Sequence, residues 1–134
     1  MSNARKAAGT RWESAVRDHA QQRRLKAFRP AQAGAKDVSD VHISGLVAAQ
    51  CKDHARFALS EWVADAEEQA ENAGLPFGVV VAKRRRHSVG SAYAVMSYDT
   101  LLSLVRRLHV AEDLLSVSTA GPHYKRFLDE ENTP

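Results

Sequence analysis

The sequence predicts an α/β domain, a mixed β-sheet of about five strands flanked by helices. Three observations point there. The segment "PFGVVVAK" (76–83) is a continuous apolar run of the kind found in a central strand covered on both faces. Trp12, Val16 and Ala20, and again Leu59, Val63, Ala66, Ala70 and Ala73, recur with the period of an α-helix. The elements follow one another in the order α-β-β-β-α-β-β-α, which sets helices against a sheet of mixed direction.

The first helix is expected from about Thr10 to Arg24, because Thr10 and Glu13 form a T-x-x-E capping box ahead of the apolar stripe. "LKAFRP" (25–30) reads as a short strand closed by Pro30, and "AQAGAK" (31–36) as a small-residue loop. Two strands, about Val38 to Ile43 and Leu46 to Lys52, are joined at Ser44-Gly45 as a β-hairpin. The second helix is expected over Leu59–Ala73, stopped by "NAG" (72–74). After the central strand, the basic loop "RRRHSVG" (84–90) leads to an alternating strand in "SAYAVMS" (91–97). A last helix runs from about Tyr98 to His109, with Leu101, Leu102, Val105 and Leu108 on one face. Beyond Ala111 the pattern weakens. The expected division is therefore a domain over 1–110 and a partly mobile C-terminal extension over 111–134.

The chain's 134 residues suffice for one such domain and are too few for two of ordinary size. Hydrophobic residues at 44% and charged residues at 26% exclude wholesale disorder. No apolar run is long enough to span a membrane, and the N-terminus lacks the apolar core of a secretory signal. The lone cysteine, Cys51, has no partner for an internal disulfide, which fits a reducing cytoplasm. The net charge of +3 is modest but unevenly spread. Bases cluster in 23–29, in "KRRRH" (83–87) and at Arg106 and Arg107, while acids fill "EWVADAEEQAE" (61–71). Each cluster is explained equally well as a solvated face, but three basic clusters together favour a polyanionic partner.

The polar residues of the hairpin raise the chemical question. Gln50 and Lys52 share one face of their strand. At a strand end such a pair is either the place where the strand leaves the core or part of a polar site. An aspartate stands against it in either of two registers. A two-residue loop at Ser44-Gly45 pairs Asp37 with Lys52 and Ser39 with Gln50, whereas one further loop residue or a bulge pairs Asp40 with Gln50. Oxygen ligands with a lysine beside them are what a hard divalent cation and a phosphate require.

An acid ahead of a hairpin turn followed by Glu/Gln-x-Lys resembles the core of the PD-(D/E)XK nucleases. The match is closer to the Holliday junction resolvases of archaea and phages, whose order of parts is found here in "GTRWESAV", "AFRPAQAGAK", "SDVHI" and "AAQCK", continuing through the "GVVVAK" strand to about Leu108. The resemblance implies a restriction-endonuclease-like sheet and Mg²⁺-dependent hydrolysis of a phosphodiester by in-line attack of water, with Mn²⁺ able to substitute and 5′-phosphate products. It implies Asp40 as principal metal ligand, Gln50 as second ligand through its amide oxygen, and Cys51 as a ligand through its backbone carbonyl. Lys52 would orient the attacking water or stabilise the reacting phosphate, and Glu13 would reach in from the first helix. Four-way DNA junctions would be the substrate. A homodimer would make the paired nicks, in the cytoplasm of a bacterium or phage-infected cell, with the interface at the helix around Trp62 or at a sheet edge.

Two positions depart from that pattern. Gln50 replaces the usual Glu, as in the "QCK" of the Mrr-type restriction nucleases, keeping an oxygen donor but losing a charge. Ser39 replaces the usual Pro before the Asp, and Asp37 competes with Asp40. Glu13 is also fully explained as a capping residue, and Arg29 as a solvated strand end. Arg29, Lys36 and the loop residues Lys83, Arg84, Arg85 and Arg86 are the candidate DNA contacts, the loop following phosphates without reading bases. The six histidines lack ligand spacing, with only His54 near the chemistry. Cys51 points away from Gln50 as a small core residue, and Trp12 and Trp62 are core or interface anchors. The competing readings are an Mrr-like or general DNA endonuclease, a DNA-binding module of the same fold that has lost catalysis, and a plain soluble α/β domain.

Overall fold

The computed structural model describes residues 3–32 and 34–133. It divides into two compact units, Met1–Ser97 and Tyr98–Pro134.

The first unit is built on a five-stranded mixed sheet in the order β1 (Ala27–Phe28), β2 (Val41–Ile43), β3 (Val47–Lys52), β4 (Phe77–Ala82) and β5 (Tyr93–Val95). All neighbours are antiparallel except β3 and β4, which run parallel. A parallel pair needs a crossover, here supplied by α2 (Leu59–Ala73). Its C-terminal Gly74 takes the left-handed conformation (φ 70°), and its N–H reaches the carbonyls of Ala70 and Glu71, the stop that "NAG" encodes.

The alternation of side chains along β3 and β4 divides the core in two. Ala49 and, half-buried, Cys51 and Val81 face α1 (Asn3–Gln22), where Trp12 and Val16 close the cluster with Ala27 and Val41. The Trp12 indole N–H donates to the Val81 carbonyl at 3.1 Å and pins this helix to the sheet. Val80 and Ala82 face the opposite way and pack under Trp62 and Ala66 of α2. The buried face of α2 is Trp62, Ala66, Gln69 and Ala70, while Leu59, expected at its start, is 43% exposed. Both tryptophans are core residues, and Trp62 at 6% exposure has little surface left for a partner.

Gly78 of β4 lies where α2 comes closest to the sheet. A Cβ there would collide with the Ala66 carbonyl and the peptide behind it, which are backbone atoms and cannot swing aside. Gly78→Ala is therefore expected to destabilise the protein by about 1–3 kcal/mol, the usual cost of overpacking, read as a lower midpoint in chemical denaturation.

The first helix starts at Asn3, more than a turn before the expected start at Thr10. "NARKAA" is rich in strong helix formers and carries the helix through Gly9, so Thr10 lies inside the helix and the capping box does not form. β2 also starts later than expected, because the chain from Asp37 to Ser39 is taken up by a turn.

The second unit holds α3 (Tyr98–Ser116) and α4 (Gly121–Glu131). The helix expected to end at His109 continues through "VAEDLLS", so residue 110 lies within it, and a further helix covers part of the expected tail. Leu101, Leu102, Val105 and Leu108 are all exposed. No helix among the described residues is long and apolar enough to cross a membrane.

Candidate active site

The hairpin register brings Asp40, the residue before the last paired position, to the Ala49–Gln50 end of β3. Val41 pairs with Ala49 and Ile43 with Val47, leaving Ser44, Gly45 and Leu46 as a three-residue connection. Ser44 and Gly45 both have positive φ (54° and 65°), and Leu46 N–H returns to the Ile43 carbonyl at 3.0 Å, so Leu46 is the extra residue that shifts the pairing by one. The Asp40 N–H donates to the Ala49 carbonyl at 3.2 Å, so Asp40 and Val41 both stand against Ala49, as at a bulge.

Asp37 is used elsewhere. Its Oδ1 accepts the Ser39 N–H at 2.9 Å, an Asx turn that holds Ser39 at φ 79°, and the Ser39 carbonyl accepts from Gln32 Nε2 at 2.8 Å. Proline cannot adopt that φ. Ser39, buried and at positive φ, is thus a residue held in strain beside Asp40.

The Asp40 carboxylate takes a position that a β2 carbonyl would otherwise fill, its Oδ2 accepting the Cys51 N–H at 2.8 Å. Burial pushes its pKa up to about 6; the Cys51 hydrogen bond opposes the rise, Glu13 and Asp37 add to it, and Lys52 pulls it down. Gln50 is 6% exposed, and its Oε1 is buried without a hydrogen-bond partner. An orphaned acceptor of this kind costs about 1–3 kcal/mol unless a ligand satisfies it. The Lys52 carbonyl accepts from Lys83 on the β4 side at 2.9 Å, and carbonyls alternate along a strand, so the Cys51 carbonyl turns toward the Asp40 side. A carboxylate on Asp40, an amide oxygen on Gln50 and a peptide oxygen on Cys51 thus lie at the same end of the hairpin. That donor set suits a hard cation such as Mg²⁺, which takes one or two carboxylates and keeps waters on its other positions.

Lys52 lies on the Gln50 face with its ammonium 5.6 Å from the centre of the Trp62 ring. Glu13 approaches from the opposite side, on α1, and pairs with Arg29 at the end of β1 (2.6 Å), which also donates to Ser14 Oγ at 3.2 Å. With Asp37, Asp40, Pro30 and Gln32, these two line a cleft of about 520 Å³. Cys51 is half-buried on the α1 side, and burial, reinforced by the charges of Asp40 and Glu13, pushes its thiol pKa far up. It is no nucleophile.

Not every expected residue joins this cleft. Lys36 opens on a separate hollow with Asp65 and Glu68, an acidic neighbourhood. Lys83 and Arg85 share Asp53, at 3.8 and 3.3 Å, and Arg84 lies over Tyr93 at 5.0 Å, while Arg86 is exposed at φ 67° in the loop. Asp53, which organises this loop, directly follows the Gln-x-Lys motif and was readable there as an acid facing a basic run. A larger cleft, of about 810 Å³, is lined by Arg5, Lys6, Glu13, Asp53, His54 and Arg85. A helix expected to begin at Thr10 leaves Arg5 and Lys6 out of any site, whereas the strong helix formers of "NARKAA" extend it to include them. The chain matches no family model, no curated protein and no solved structure.

Proposed function

We propose that this protein is a metal-dependent DNA endonuclease selective for branched DNA, acting on four-way junctions as a Holliday junction resolvase does. The observation that carries the reading is the end of the hairpin, where a half-buried carboxylate with a raised pKa and an orphaned amide oxygen lie on neighbouring strands, with a lysine two residues along from the amide.

Asp40, Gln50 Oε1 and the Cys51 carbonyl would hold Mg²⁺, or Mn²⁺ in its place, which when bound polarises the phosphate and lowers the pKa of water. Lys52, on the same face, supplies positive charge for the phosphoryl oxygens as negative charge builds up, and its ammonium is held over Trp62 rather than left to wander. Asp40 ionises easily enough near neutral pH to serve a cation, because its pKa lies near 6. The Glu13–Arg29 pair places an acid and a phosphate-gripping guanidinium at the rim, and Arg5, Lys6 and Arg85 along the larger cleft give the DNA backbone a cationic path. Cutting both strands symmetrically takes two such sites about a twofold axis, hence a homodimer. With Trp62 buried, the exposed apolar face of α3 is the better candidate for contact with a second copy.

Incubation with a labelled immobile four-way junction and a linear duplex of the same sequence, in Mg²⁺, tests the reading. Paired nicks at symmetric positions in the junction are expected, with the duplex cut at least about tenfold more slowly. Equal cutting of both would replace the resolvase by a general or Mrr-like endonuclease. Salt-sensitive junction binding with no cleavage in either metal would leave a DNA-binding module.

A further inference from the structure

A row of rings and cations leads away from Lys52. Trp62, under its ammonium, contacts Phe57 at 5.5 Å; Phe57 meets Tyr93 edge-on at 6.0 Å and 82°; and the guanidinium of Arg84 lies 5.0 Å over Tyr93. The inner end is buried and the outer end is open, with Phe57 41% and Tyr93 47% exposed. Both line a hollow of about 290 Å³, walled also by His54, Lys83, Arg84 and His87. That volume is at the small end of ligand sites and suits a single planar group.

Both rings keep open surface beside a cluster of cations, and a protein partner would have to bury several of those cations against them. Their setting is instead that of a single-strand platform, in which aromatic faces take bases while Lys and Arg follow the phosphates. We propose that an unpaired base of the DNA strand packs against Phe57 and Tyr93, its face on one ring and its edge to the other, with Lys83, Arg84 and His87 holding its flanking phosphates. The site rests on the nuclease reading for its biological substrate, and it changes the expected role of the basic loop. That loop would select a strand whose bases have come out of the duplex, as at the crossover of a branched molecule, in addition to following phosphates.

The test is binding measured with chelator present, so that no cleavage is needed: fluorescence anisotropy with a labelled oligothymidylate and with an abasic oligonucleotide of the same length and charge. The wild type is expected to prefer the base-bearing strand by about tenfold, equivalent to about 1.4 kcal/mol. Tyr93→Ala and Phe57→Ala should each remove most of that preference while leaving abasic affinity within about twofold, and Tyr93→Phe should retain it. Both rings are exposed, and matching thermal melts establish that the variants fold. Equal affinity of the wild type for the two strands, or a preference that survives Tyr93→Ala, overturns the platform. A wild type that nicks junctions without preferring bases removes the platform and leaves the nuclease; one that prefers bases but cuts nothing does the reverse.

Discussion

Asp40→Asn is expected to lower junction cleavage in Mg²⁺ by about a thousandfold or more, a barrier increase of roughly 4 kcal/mol, and at the same time to make the metal-free protein more stable. The stability gain follows from the raised carboxyl pKa. Folding lifts it from 3.8 to about 6, so between those values the native state holds the proton that the unfolded state has lost. Stability therefore falls as pH rises through this window, and above it the cost is complete, up to about 3 kcal/mol. An asparagine bears no charge, and its side-chain oxygen can still accept the Cys51 N–H. The variant should gain roughly 1–2 kcal/mol at pH 8 and almost nothing at pH 4, measured by denaturation in chelator. Mg²⁺ should narrow the difference by stabilising the wild type alone. The same ionisation should make wild-type cleavage fall away as pH drops below about 6. Asp37→Asn, which preserves the acceptor of the Asx turn, should stay within about threefold of wild-type activity.

The second large effect is expected at Gln50. Gln50→Glu introduces a second carboxylate where Oε1 is now an orphan, and two acids hold a divalent cation more tightly than one. Half-saturating Mg²⁺ in the cleavage assay should fall by about tenfold. Without metal the same change buries a second negative charge, so the melting temperature in chelator should drop, most at high pH, and recover on adding Mg²⁺. A variant with unchanged metal dependence would place the cation elsewhere.

Much of this was legible in the sequence, and the exceptions have physical causes. The period of α2, its Gly74 stop and the apolar run of β4 are local signals, and each marks its element where it occurs. α1 begins before Thr10 because a capping-box pattern is only a local possibility, and the strong helix formers ahead of Thr10 outweigh it. That start leaves Glu13 without a capping role and brings it to Arg29. The choice between Asp37 and Asp40 turned on one loop residue, Leu46, whose placement depends on two positive φ angles that a sequence does not display. The pairing of Lys83 and Arg85 with Asp53, and the row from Trp62 to Tyr93, join residues far apart in the chain, and only the assembled sheet brings them together.

Calorimetric titration of Mn²⁺ into the wild type and into Asp40→Asn, at pH 7.5 and without DNA, tests most directly whether the end of the hairpin is a metal site. One Mn²⁺ per chain is expected in the wild type, with at least about a hundredfold weaker binding in the variant. Equal uptake by the two proteins would contradict the assignment of Asp40 as principal ligand, and with it the proposed chemistry.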